Sequence, residues 1–147
     1  MIREWAEELA KPTKHNNGVA ACPFALPAIK AGEVKTVISS DLWSEVLSEC
    51  VGFSSSGYKV SMVFDYKYEN TYVDLEDQCM ALNKFFDLTK TDLWLLAYMG
   101  VEETVVFIQK WTELENAAAK LEKLGYYKNY EPDDYKRHVL MRRQRSI

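Results

Sequence analysis

Apolar positions recur at helical spacing in some stretches of this chain and at every second position in others, and their order sketches a fold. Ile2, Trp5 and Leu9 keep helical spacing until Pro12 closes the segment. "KPTKHNNG", 11–18, then reads as a loop. "EVKTVIS" alternates polar and β-branched residues and predicts a strand. In "SDLWSEVLSECVGF", Leu42, Trp43, Val46, Leu47 and Cys50 form one helical face with Ser40 as its cap.

"SSSG", 54–57, breaks the chain before the strand "YKVSMVFDY", which sets Val60, Met62 and Phe64 on one side. Thr71 and Asp74 match the T-x-x-D capping pattern of a helix striped by Tyr72, Leu75, Cys79, Leu82 and Phe86. "DLWLLAYM", 92–99, is apolar on both faces, the pattern of an interior strand, and "GVEE" turns it into "TVVFIQK" as a hairpin. Thr112 and Glu115 match a second capping box, followed by Leu114, Ala118, Leu121 and Leu124, with Gly125 as the stop. In the remainder only "RHVLMR" reads as a strand.

From Tyr58 onward the order is strand, helix, strand, strand, helix, strand. That is the split βαβ arrangement of a ferredoxin-like core (βαββαβ) in an α+β domain. "EVKTVIS" adds an N-terminal strand, and the helices pack on the sheet. With 147 residues, 48% of them hydrophobic, the chain reads as one domain over 1–147, ending in a basic, tyrosine-rich segment, 126–147.

Charge sharpens that division. The net charge of −4 opposes general attraction to nucleic acid. Residues 31–108 carry 5 basic and 13 acidic side chains, whereas 136–147 carry five basic and none acidic. Cys22, Cys50 and Cys79 are odd in number and lack C-x-x-C spacing, which argues against a disulfide framework or zinc site and for a reducing, cytoplasmic setting. The opening "MIREWAEELAKP" lacks a signal peptide's apolar core, and no run approaches 18 apolar residues, so no membrane association is expected.

Three constellations carry candidate chemistry. In "AACPFALPAIKAG", Pro23 at a first helical position would make Cys22 the N-cap, where the helix dipole favours a thiolate; His15 is the nearby base. Pro27 competes by opening the helix later, which leaves Cys22 a small buried hydrophobe. In "FDYKYENTYVDLED", Asp65 closes a strand at the edge where α/β proteins bind ligands, flanked by Tyr66 and Tyr68. The carboxylates that follow lack EF-hand spacing, and a solvated acidic helix start explains them.

In the tail, Tyr126, Tyr127, Tyr130 and Tyr135 interleave with Lys128, Lys136, Arg137, Arg142, Arg143 and Arg145. This is either a single-stranded nucleic-acid surface or a segment folded onto the acidic half. There is no phosphate loop, nucleophile elbow, H-E-x-x-H or histidine cluster, so neither a cofactor nor a metal is expected.

Trp5, "CPFA" at 22–25, Gly32 before "EVKTVIS", and "MVFDY" followed by Asp74 and Asp77 resemble an uncharacterised bacterial domain family marked by a CPFA motif, over residues 5–90. Beyond that, "LAYMGVEETVVFIQ" has neither the histidine nor the loop of that family. The resemblance implies a shape and no reaction. Nineteen aromatic residues, the sum of 4 Trp, 9 Tyr and 6 Phe, and no catalytic set point to a protein-binding or self-assembling module, a homodimer in its simplest form. A cysteine-dependent enzyme using Cys22 and His15 is the alternative, and nucleic-acid contact through the tail the second.

Overall fold

The computed structural model describes residues 30–128 and 130–145, and of Asp134 and Arg137 the backbone alone. The expected first helix, the loop after it, His15, Cys22 and the CPFA tetrapeptide lie outside the described residues. The chain divides into two compact units, one spanning Glu33–Trp111 and the other containing Thr112–Ser146.

The first unit is a mixed α+β structure. Strand β1 (Val34–Ile38) leads through helix α1 (Leu42–Gly52) and a 3-10 turn, Phe53–Ser55, into β2 (Val60–Asp65). Helix α2 (Tyr72–Leu88) follows, then the hairpin of β3 (Trp94–Met99) and β4 (Thr104–Gln109). The sheet order is β1-β2-β4-β3. β1 is parallel to β2, and β4 is antiparallel to both β2 and β3. β2 and β3 therefore point the same way, with the returning hairpin strand between them.

Val63, Leu95, Val106 and Ile108 share one face, by the pairings Val63↔Val106 and Leu95↔Ile108. Leu42 and Val46 of α1, Phe53, and Leu75, Cys79 and Phe86 of α2 join them in one core. Both helices thus pack on that face, as periodicity predicts. Thr71 caps α2 as expected, accepting a hydrogen bond from Asp74 N at 3.2 Å.

Several expectations need correction. α1 is preceded by Asp41, not capped by Ser40, and makes no side-chain cap bond; the Ser39 hydroxyl accepts from Asp41 N at 3.0 Å instead. Leu47 is exposed because it lies about 100° round the helix from buried Val46. β2 does not alternate. Ser61 and Val63 are buried as well as Met62 and Phe64, the pattern of an interior strand. The interior position expected of "DLWLLAYM" belongs to β4, and β3 is an edge strand.

The second unit contains α3 (Trp111–Lys123) from its second residue onward, α4 (Pro132–Tyr135), a π-helical turn, Lys136–Leu140, and α5 (Met141–Arg143). α3 ends as its glycine predicts. Gly125 has φ 81°, its N–H donates to Glu122 O, and Tyr126 N–H donates to Leu121 O, both at 3.0 Å. Leu124 lies beyond the last helical residue and is exposed. The helix starts at Trp111, one residue before Thr112, so Thr112 lies within its first turn and does not precede it. "RHVLMR" is helical, not a final strand. Pro132 sits in the first turn, and half-buried Tyr135 and buried Val139 and Arg142 recur at helical spacing.

Candidate interaction surfaces

The two edges of the sheet are finished differently. At β3 the side chain of Asn83, 1% exposed, reaches from α2 to the outward backbone of Leu95. Its Nδ2 donates to Leu95 O at 3.0 Å, and its Oδ1 accepts from Leu95 N at 2.7 Å. A carboxamide presents one donor and one acceptor like a peptide group, so Asn83 stands where a further strand would pair. The sequence held the signal: a polar residue four positions beyond Cys79, on the stripe that buries Leu75 and Phe86.

β1 has no such seal among the described residues. Ser39 N donates to Phe64 O at 2.8 Å, and Glu33 O accepts from Lys59 N and Val60 N at 2.8 and 3.3 Å. Successive residues of a strand point their backbone groups to opposite sides. Odd-numbered positions therefore bond to β2, and Val34, Thr36 and Ile38 turn their N–H and C=O groups outward. Thr36 is exposed and Ile38 is 68% exposed. The strand holds no proline, and its one charge, Lys35, turns back to α1, with Nζ 2.9 Å from Glu49 Oε1.

Asp65, Tyr66 and Tyr68 gather at the carboxyl end of β2. Asp65 is 4% exposed, and its Oδ1 accepts from Lys67 N at 2.8 Å, which folds the loop back on itself. Tyr66 stacks on Phe64, with ring centroids 6.2 Å apart. Tyr68 packs against the core, and burial raises its phenol, opposed by hydrogen bonds from Asn70 and Trp43. The buried carboxylate bonds within its own turn and Tyr68 packs inward, whereas Tyr66 stays 47% exposed. Among the described residues no group of three or more His, Cys, Asp or Glu side chains is placed to hold a metal ion.

Arg142, Arg143 and Arg145 of the tail are drawn inward. Arg142, 4% exposed, bonds to Glu115 through Nε. Arg143 bonds to Glu122, which also accepts from the Tyr135 hydroxyl at 3.1 Å. The Arg143 guanidinium beside Glu122 holds that carboxyl below its ordinary range. The tyrosines pack on each other: Tyr126–Tyr127, Tyr127–Tyr130 and Tyr127–Tyr135 centroids lie 5.0, 5.1 and 5.8 Å apart, distances of touching rings. Burial raises the Tyr127 phenol, and the Arg142 guanidinium opposes it. Lys136 is exposed, and the Arg137 side chain lies outside the described residues.

Cys50 and Cys79 are free thiols in and against the core, both pushed up to about 12, chiefly by burial. The Glu49 carboxylate adds to the rise at Cys50, and Glu76 to that at Cys79. Neither is a nucleophile at neutral pH. No helix among the described residues is long and apolar enough to cross a membrane. No family model, curated protein or solved structure matches the chain.

Proposed function

We propose that this protein is a non-catalytic binding and assembly module that meets its partner by adding an extended strand to the outer edge of β1. The contrast between the two edges carries this reading. Edge strands with free backbone groups pair readily, and proteins ordinarily blunt them with prolines, bulges, projecting lysines or covering groups. Here Asn83 occupies the Leu95 pairing position at the start of β3, whereas β1 turns its lysine away and leaves Ile38 in water. Strand addition draws affinity from main-chain hydrogen bonds and specificity from alternate side chains. The pairing of Arg142 and Arg143 with Glu115 and Glu122 supports tail folding over nucleic-acid contact.

We read the platform beneath this edge as a variant of the ferredoxin-like split βαβ. Supporting this are β2 and β3 running the same way with β4 between them, and β1 beside β2 in place of a C-terminal strand. Amide exchange in dilute solution tests the open edge. Val34, Thr36 and Ile38 should exchange fast, and Lys35 and Val37 slowly. Uniform protection along β1 would overturn the reading.

A further inference from the structure

We infer that the partner at β1 is a second copy of this chain, joined antiparallel about a two-fold axis through Thr36. The inference rests on the open-edge reading and adds its occupant and register. Only outward-facing residues can exchange hydrogen bonds across such a contact, so Val34, Thr36 and Ile38 must meet their counterparts. Three symmetric registers bring at least two of these residues onto one another, and they are not equivalent.

An axis through Lys35 opposes Lys35 to the partner's Lys35 and pairs only Val34 with Thr36. Like charges directly opposite destabilise a ladder. An axis through Val37 brings Glu33 opposite the partner's Asp41 and carries Val34 past the end of the strand. An axis through Thr36 pairs Thr36 with itself and Val34 with Ile38 in both directions. Each of these pairs exchanges two backbone bonds.

The Thr36 register also suits the side chains. Ile38, 68% exposed in the single chain, lies against a β-branched valine. Lys35 faces the partner's Val37, and Glu33 faces Ser39. The Lys35 charge is already met by Glu49 at 2.9 Å. No like charges oppose each other, every outward N–H finds a carbonyl, and two four-stranded sheets join into one. An isologous contact closes on itself and leaves no strand of the joined sheet free for a third copy at β1.

Sedimentation velocity with amide exchange over a concentration series tests this, on wild type and Thr36→Pro. Thr36 N–H points away from β2, so proline there removes a bond to the partner without touching the ladder inside the chain. The expected result is a dimer in which Val34, Thr36 and Ile38 gain protection with concentration. Thr36→Pro should raise the dissociation constant about tenfold or more, while Val37 stays protected.

A strict monomer whose three outward amides exchange fast would overturn self-pairing and leave the open edge standing. A monomer with those amides protected would overturn both, since the edge would then be covered within the chain. A dimer indifferent to Thr36→Pro would overturn the contact. The milder Ile38→Lys variant, which keeps the backbone intact, should also weaken the dimer; an unchanged constant would overturn the register.

Discussion

The two outer strands of this sheet solve the same problem in opposite ways. At β3 a side chain from the covering helix supplies both hydrogen bonds that a neighbouring strand would have made to Leu95. At β1 no bond to the outward backbone groups is made among the described residues, and the strand's only charged residue is folded back. An edge that a protein closes with a buried, fully bonded asparagine is one where pairing is unwanted. An edge left regular, β-branched and free of proline is one where pairing is tolerated or used. The proposed strand addition at β1 rests on that difference.

The sharpest way to break the contrast is to unseal β3. Asn83→Ala removes both partners of the Leu95 backbone and leaves two buried polar groups unsatisfied. Unfolding free energy should fall by about 2 to 4 kcal/mol, read by urea denaturation. A fall below about 0.5 kcal/mol, the range of an inert surface change, would mean that the seal contributes nothing. Asn83→Asp is a finer cut. It retains the acceptor for Leu95 N but sets a second oxygen against Leu95 O, so it should destabilise despite its near-identical shape.

The next test uses the parity of β1. Val37 faces β2 and Thr36 faces out, so proline at neighbouring positions should have unequal effects. Val37→Pro deletes a ladder bond inside the sheet and should cost about 2 kcal/mol. Thr36→Pro deletes only an outward N–H and should cost clearly less in dilute solution. Equal losses from the two prolines in thermal unfolding would show that β1 is not a simple edge.

A smaller test sets a satisfied buried polar group against an orphaned one. The Ser61 hydroxyl is buried on β2 with no hydrogen-bond partner among the described residues. Where Asn83 earns its burial through two bonds, Ser61 makes none. Ser61→Ala should therefore be neutral or stabilising by up to about 1 kcal/mol. A loss of that size would reveal a bond formed in solution.

Much of the fold was legible locally, and its edges were not. Hydrophobic spacing located β1, α1, β2, α2 and the β3–β4 hairpin, and Thr71 and Gly125 marked helix ends through backbone chemistry confined to a few residues. Strand order is a different kind of information. The apolar run of β3 suits an interior strand, but it also suits an edge strand whose margin a helix covers. Nothing local distinguishes the two until Asn83 is seen against Leu95. "RHVLMR" misled because three consecutive apolar residues carry no period. Its buried residues, Val139 and Arg142, include an arginine that becomes an inward residue only when Glu115 faces it. Asp65, Tyr66 and Tyr68 were legible as a cluster at a strand end, but their partners, Lys67 N, Phe64 and the core, were not.

The least effect is expected from the lysine that β1 turns inward, and its direction with pH can be worked out. The Lys35 amine is raised above its ordinary value, first by its hydrogen bond to the Glu49 carboxylate, with burial opposing. A cationic group whose folded value is raised stabilises the fold below its unfolded value and loses that contribution as pH climbs through the folded one. Wild type should therefore hold a small advantage over Glu49→Gln at neutral pH, shrinking only above the ordinary lysine range. The pair is half open to water, so salt should screen it. The same substitution bears on the edge itself: without Glu49, Lys35 is freer to lean outward and guard β1, as lysines on edge strands commonly do. Glu49→Gln should thus weaken strand addition at β1 while leaving the β3 seal untouched. A variant that pairs as well as wild type would show that the position of this charge does not gate the edge.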